Sequence, residues 1–188
     1  DTDPKFIGAA LRNIGLIHCI KEDYKLAKEY VNKALKINSK DSAALNNFAQ
    51  ILVSENQVDQ GIVYFERASE LDPCNPIIYL NMGRALMRRR RNEEALGALQ
   101  KSMELDSSQT TPYVLFASIL RQMEKLDEAE NFIGSALEQF PEDPALLTEE
   151  ANNLLFKFEF KEAEELARKI LIKHPFFVPA VVALAIVL

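Results

Sequence analysis

The sequence predicts an all-α fold, an α-solenoid of stacked antiparallel helix pairs, and two columns of small residues carry this prediction. The members of the first column follow one another at a single constant interval: Gly15, Ala49, Gly83, Ala117, Ala151 and Ala185. The second column keeps the same interval and a fixed offset from the first: Ala27, Gly61, Ala95, Ala129 and Ala163. Small side chains at both positions let the paired helices approach closely where the columns meet. Because one such pair cannot bury its apolar face alone, we expect the copies to stack.

Apolar residues recur at spacings of three and four throughout the chain. In the first repeat, for example, Leu11, Ile14 and His18 follow one face of a helix, and Ala27, Val31 and the residues after them follow another. This is the α-helical period, and the period of two that marks a strand is absent. We therefore expect no β-strand.

The predicted organisation is a single solenoid over residues 1–188, built of about five repeats and a final half-repeat. The boundaries are 8–41, 42–75, 76–109, 110–143, 144–177 and 178–188. Each repeat opens with the helix that holds the first small column. Three of the boundaries place a capping side chain before a proline suited to the first helical turn: Asn75-Pro76, Thr111-Pro112 and Asp143-Pro144.

The N-terminal segment has two possible interpretations. Asp3-Pro4 is typical of an N-cap followed by a proline at the first helical position, so the first helix would begin near Pro4 and run to about Lys21. Residues 1–7 are equally compatible with the tail of an earlier repeat. The sequence leaves both open.

The fifth repeat departs from the pattern on its first helix. Glu149 and Glu150 lie there, and Glu150 stands where the other repeats have an apolar residue. A buried carboxylate is costly unless it is paired. The simplest interpretation is local degeneracy of the repeat. The alternatives are a rotated helix or a basic partner, for which Lys157 is the candidate.

Composition and charge narrow the function. The net charge is −6, with +1 in residues 1–94 and −7 in residues 95–188, which argues against general nucleic-acid binding. Cys19 and Cys74 fall at different points of the repeat, so neither a repeating disulfide framework nor a metal site is expected, and a reduced, cytoplasmic protein is the default. The apolar run of residues 176–188 is too short to span a membrane.

The repeating pattern resembles the tetratricopeptide repeat. The segments that match its motifs are Asn13-Ile14-Gly15, Asn81-Met82-Gly83, Glu94-Ala95, Glu128-Ala129 and Leu71-Asp72-Pro73. The tryptophan of the repeat signature is replaced by Leu11, Leu45, Tyr79, Tyr113 and Leu147. The resemblance covers residues 8–188 and implies a right-handed superhelix whose first helices line a concave, partner-binding face.

An asparagine column lies two positions before the first small column. Its members, Asn13, Asn47 and Asn81, keep the interval of the repeat, and the resemblance places them on the concave face. One amide can donate to a peptide carbonyl and accept from a peptide N–H. The column is similar to the asparagine ladder in the repeat region of O-linked N-acetylglucosamine transferase, and it predicts binding of an extended peptide through its main chain. The alternative is that Asn is simply common in this repeat.

Further inward-facing residues are expected beside the asparagine column. Four are arginines, which would favour an acidic partner or a C-terminal carboxylate: Arg12, Arg84, Arg88 and Arg121. Four are apolar and could seat side chains of the same peptide: Leu16, Ile77, Leu80 and Val114. The run Arg88–Arg91 is interpreted as a solvated turn, with a nuclear-localisation or anion-binding patch as the alternative.

The sequence therefore predicts a protein–protein interaction scaffold that is not an enzyme. It contains no phosphate loop, nucleophile elbow or metal-spaced cluster, and no cofactor is expected. The alternatives are the targeting region of a larger enzyme, such as a glycosyltransferase, or a bacterial assembly or secretion-system factor. Residues 178–188 carry no charge, so a homodimer through this last helix is a further possibility.

Overall fold

The computed structural model describes residues 3–187, so Asp1, Thr2 and Leu188, which belong to the predicted first and last segments, lie outside the described residues. Residues 3–187 form eleven α-helices and no strand, which confirms the all-α prediction. The helices are α1 (Pro4–Ile20), α2 (Tyr24–Ile37), α3 (Ser42–Ser54), α4 (Val58–Leu71), α5 (Pro76–Arg88), α6 (Asn92–Leu105), α7 (Thr110–Gln122), α8 (Leu126–Gln139), α9 (Pro144–Phe156), α10 (Phe160–Lys173) and α11 (Val178–Val187).

The chain divides into two units, Asp1–Leu105 with α1 to α6 and Asp106–Leu188 with α7 to α11. In unit 1 the helices pack as three pairs, α1 with α2, α3 with α4 and α5 with α6, and α3 also packs against both α1 and α5. In unit 2, α7 packs against α8 and α9, and α9, α10 and α11 pack against one another. In unit 1 the first helices of the three pairs therefore lie next to one another in the order α1, α3, α5.

The two small columns meet inside the helix pairs of unit 1. A methyl group added to Gly15 would lie 2.5 Å from Cγ2 of Val31 and 3.0 Å from the carbonyl oxygen of Ala27. In the next pair the glycine belongs to the second column and the alanine to the first. A methyl group on Gly61 would lie 3.0 Å from the carbonyl oxygen of Ala49. Backbone oxygen cannot move aside as a flexible side chain can. These glycines are therefore required by close approach of the backbones.

Each helix pair reverses direction at a residue with left-handed backbone geometry. These residues recur at the interval of the small columns, with φ between 57° and 68°: Glu22, Asn56, Arg90, Glu124 and Phe158. None is glycine, although glycine adopts this geometry without strain. Because the same turn recurs in every helix pair, the repeats keep one constant length.

The helix starts agree with the sequence in most places. Asp3 caps α1 by accepting from the backbone N–H of Lys5 at 2.9 Å, so α1 begins at Pro4, as in the first of the two N-terminal interpretations. Asn75 and Asp143 cap α5 and α9.

The cap predicted at Thr111 is wrong, because α7 already begins at Thr110. Pro112 is thus the third helical residue, where the missing N–H is tolerated because the first-turn N–H groups have no partner within the helix.

Candidate peptide-binding site

A chain of side-chain amides joins the three first helices of unit 1. Nδ2 of Asn81 on α5 donates to Oδ1 of Asn46 on α3 at 3.1 Å. Nδ2 of Asn46 donates to Oδ1 of Asn47 at 3.4 Å, and Nδ2 of Asn47 donates to the backbone carbonyl of Arg12 on α1 at 3.5 Å. Two of the three predicted ladder residues, Asn47 and Asn81, therefore belong to this amide chain.

The three ladder residues differ in how much of each amide solvent can reach. Asn13 is exposed, Asn81 is half-buried, and Asn47 is only 9% exposed. Each amide has two N–H donors and one carbonyl acceptor. Asn13 can thus offer its whole amide to a partner and Asn81 part of its amide, whereas Asn47 mainly holds α3 against α1.

Asn46 is a functional candidate that the sequence pattern did not identify. It is 7% exposed and both donates and accepts within the amide chain. The equivalent residues one period before and after are Arg12 and Leu80, so Asn46 belongs to no column. The only signal in the sequence is the adjacent pair Asn46-Asn47 on a first helix.

The arginines predicted beside the ladder have different surroundings in unit 1. Nη1 of Arg12 lies 2.9 Å from Oδ2 of Asp41, and Asp41 also caps α3 by accepting from the N–H of Ala44 at 3.0 Å. Arg84 on α5 is exposed, and its side chain forms no ion pair or hydrogen bond within residues 3–187. Arg84 is therefore the cation of this set that remains available to a partner.

Arg88 and the predicted apolar residues of unit 1 differ in their contacts and exposure. Nη1 of Arg88 donates to the carbonyl oxygen of Val53 at 2.7 Å, which ties α5 to the end of α3. Ile77 is 58% exposed, whereas Leu80 on α5 and Leu16 on α1 are half-buried. Ile77 is thus the apolar residue of the predicted set that a partner can reach most easily.

Two of the three remaining arginines of the four-residue run have ion-pair partners within unit 1 as well. Arg89 forms an ion pair with Asp59 at 2.8 Å, and Arg91 forms one with Glu94 at 2.6 Å. Arg90 is the left-handed turn residue itself. These contacts are those of a solvated turn with exposed ion pairs.

Arg121 and Val114 belong to unit 2. Nη2 of Arg121 lies 2.9 Å from Oε2 of Glu149, and the two side chains are only 14% and 13% exposed. The guanidinium also lies over the ring of Phe156, 5.0 Å from its centroid. The charge of Arg121 is therefore already matched within the unit, and Val114 on the same helix is half-buried.

Lys157, the candidate basic partner in one of the alternatives for Glu150, does not pair with it. Nζ of Lys157 binds Oδ1 of Asp127 at 2.8 Å and also the carboxylate of Glu130, both on α8. Burial, and then repulsion by Glu130, raise the pKa of the half-buried Glu150, and attraction to Lys169 offsets part of this effect. Glu150 is thus a partly desolvated carboxylate with an unfavourable charge beside it.

Residues 3–187 contain neither a metal-binding cluster nor a membrane-spanning helix. No group of three or more His, Cys, Asp or Glu side chains is placed to hold a metal ion. No helix in this part of the chain has the length and apolar character needed to cross a bilayer.

Comparison with known proteins identifies the repeat. Two family models, both described as tetratricopeptide repeat, match residues 46–109 and 10–41. Protein STIP1 homolog of Dictyostelium discoideum is 27% identical over 109 residues, which is 58% of this chain and 19% of that protein. The matched regions span 17% to 25% of the length of the curated relatives.

Solved structures share the fold at low sequence identity. YrrB, described as a tetratricopeptide repeat protein with an unusual peptide-binding site, is 21% identical with a TM-score of 0.69, covering 92% of this chain and 89% of that one. PilW, a type IV pilus biogenesis factor, is 20% identical with a TM-score of 0.78, covering 91% of this chain and 79% of that one. These likenesses confirm the predicted solenoid of helix pairs.

Proposed function

Because the chain belongs to the tetratricopeptide repeat family, we propose that it is a non-enzymatic scaffold that binds an extended, acidic peptide segment of a protein partner along α1, α3 and α5. Proteins of this family generally mediate protein–protein interactions. The observation that supports the proposal is the amide chain, which includes Asn47 and Asn81 and links α1, α3 and α5. We call the surface formed by Asn13, Ile77, Asn81 and Arg84 the unit 1 face.

The chemistry of the unit 1 face suits a peptide main chain. Ile77, Asn81 and Arg84 are spaced by four and three positions, so they share one side of α5. The exposed amide of Asn13 and the side-chain carbonyl of Asn81 complement the N–H and C=O groups of an extended chain. Arg84 would pair with a carboxylate, and Ile77 would contact an apolar side chain.

The other predicted residues of unit 1 have supporting roles in this proposal. Asn47, Arg12 and Arg88 hold the first helices in register through their contacts with backbone carbonyls or with Asp41. Leu16 and Leu80, both half-buried, would border the bound segment.

The proposal is tested by selecting phage-displayed peptides against the chain and measuring the best binder by calorimetry. The double variant Asn13→Ala/Arg84→Ala should bind it at least about tenfold more weakly, because one neutral and one charge-assisted hydrogen bond are lost. The matched control is Asn32→Ala/Arg67→Ala, which removes exposed residues of the same types from α2 and α4. Equal affinities of the two double variants would contradict the proposal.

A second candidate function is self-association through α11. This helix carries no charged residue and exposes four large apolar side chains at 45% to 67%: Val178, Val181, Val182 and Ile186. Sedimentation velocity of wild type and Val182→Lys tests it, since the variant should abolish any concentration-dependent dimer.

The proposal also includes a cytoplasmic location, where Cys19 and Cys74 would stay reduced.

A further inference from the structure

Three exposed phenylalanines surround the turn between α9 and α10 in unit 2. Phe156, Phe158 and Phe160 are 50%, 78% and 46% exposed. The rings of Phe158 and Phe160 lie edge to face, with centroids 6.1 Å apart. We call this group the aromatic turn. Exposed aromatic clusters of this kind are common at binding surfaces.

Phe158 is unfavourable for stability on two counts. It is the left-handed residue of its repeat, with φ of 63°, and a bulky side chain is strained in that geometry. The other four repeats have polar residues there, including Asn56, whose type tolerates it well. Phe158 also leaves most of its ring in water. Strain and exposure at one residue suggest that the ring serves something other than folding.

A cavity of about 430 Å³ opens beside the aromatic turn. It is lined by Arg121, Asn152, Leu155, Phe156, Phe158, Phe160 and Ile186. The lining is mainly apolar, and its polar members lie on α7 and α9. A cavity of this size holds one large apolar side chain, such as phenylalanine or leucine, with room to spare.

The charged residues of the aromatic turn and their ion-pair partners leave a negative excess. Arg121 is neutralised by Glu149, as described above. Lys157, within the turn, is bound by two carboxylates, Asp127 and Glu130. Glu159 and Lys161, on either side of Phe160, are both exposed, and neither has an ion-pair partner within residues 3–187. Unit 2 as a whole contains 14 acidic and 7 basic residues. A cationic ligand is therefore the complementary one.

We propose that the aromatic turn is a second docking site, which takes a basic peptide segment by a single apolar side chain inserted into the cavity. Lysine or arginine side chains flanking that anchor would pair with Glu159, which lies between Phe158 and Phe160 in the sequence. Arg84, the available cation of the unit 1 face, would instead favour an acidic peptide segment. The two surfaces would thus select different segments.

The probe for this site is a fluorescein-labelled peptide, GKKFLKKG, whose binding is followed by anisotropy at physiological salt. The main variant is Phe158→Asn, which keeps a residue type suited to the left-handed geometry. It should fold with an unchanged or higher melting temperature and bind the probe at least about tenfold more weakly. The matched control is Phe176→Asn, which removes a ring that is 93% exposed but does not line the cavity.

Several outcomes would overturn this proposal. They are equal probe affinity of wild type and Phe158→Asn, an equal loss in Phe176→Asn, and equal binding of the peptide with glutamate in place of lysine. Loss of a wild-type dimer in Phe158→Asn, seen by sedimentation, would instead assign the cavity to a second copy of the chain. The variants of the unit 1 face should leave the probe affinity unchanged, so failure here is distinguishable from failure of the proposed function.

Discussion

Arg121 on α7 donates to Glu149 on α9 at 2.9 Å, and both side chains are largely buried. Glu149 occupies the position that Asn13, Asn47 and Asn81 hold in the first three repeats. The sequence predicts that Arg121 pairs with a carboxylate of a partner. In the structure it pairs with a carboxylate of its own unit instead. The ion pair also explains how a first helix tolerates an acidic residue in this column.

Breaking this pair from one side should be costly. Arg121→Gln leaves the Glu149 carboxylate poorly solvated and unpaired, so we expect the free energy of unfolding to fall by roughly 2–3 kcal/mol. Adding Glu149→Gln removes the orphaned charge and should restore a large part of the loss. Urea unfolding at neutral pH measures both. A double variant no more stable than the single one would show that the pair does not account for the effect.

The two small columns make a prediction about Gly15. Alanine there would bring its methyl group within 3.0 Å of the Ala27 carbonyl oxygen and 2.5 Å of Val31, so we expect a loss of about 1–3 kcal/mol through overpacking. Gly97→Ala is the control, because nothing lies within 4 Å of its added methyl group and alanine favours helix by about 0.5–1 kcal/mol. The two changes should shift the melting temperature in opposite directions. A shift of the same sign would contradict close backbone contact at Gly15.

The amide chain separates two asparagines that the sequence treats as equivalent. Asn47→Ala removes a partner from both Asn46 and the Arg12 carbonyl in a buried setting, so we expect a loss of about 1–2 kcal/mol. Asn13→Ala changes an exposed side chain and should stay within about 0.5 kcal/mol of wild type. Thermal unfolding distinguishes them. Equal melting temperatures would mean that the amide chain contributes little to stability.

The raised pKa of Glu150 predicts that the stability of the chain depends on pH. Its pKa is raised in the folded state, chiefly by burial and then by Glu130, so between its unfolded and folded pKa values the folded chain binds more protons. This contribution to stability therefore falls as pH rises through that window, and the penalty is complete above the folded pKa. Glu150→Gln should be more stable than wild type at pH 7, by roughly 0.5–1 kcal/mol. The advantage should vanish in acid. A difference that does not depend on pH would rule out the carboxylate charge as its cause.

Much of the fold could be predicted from the sequence because it repeats. The contact of Gly15 with Ala27, the helix starts at Asn75-Pro76 and Asp143-Pro144, and the absence of strands among the described residues all follow from features that recur from one repeat to the next. Periodicity reports what the repeats share.

Interactions that occur once could not be predicted in the same way. The Arg121–Glu149 pair, the amide chain through Asn46 and the exposed ring of Phe158 each occur once among residues 3–187. Their partners are set by how neighbouring helices pack, and no column in the sequence records that packing. The exposure of individual ladder amides is likewise a matter of packing, which is why Asn13 and Asn47 differ.

Amide-resolved NMR during titration with the phage-selected peptide tests the proposed function most directly. We predict saturable chemical-shift changes at the side-chain amides of Asn13 and Asn81 and at the backbone around Arg84, with Asn32 on α2 unaffected. Shifts confined to α2, α4 and α6, with Asn13 and Asn81 silent at saturation, would contradict binding along the first helices.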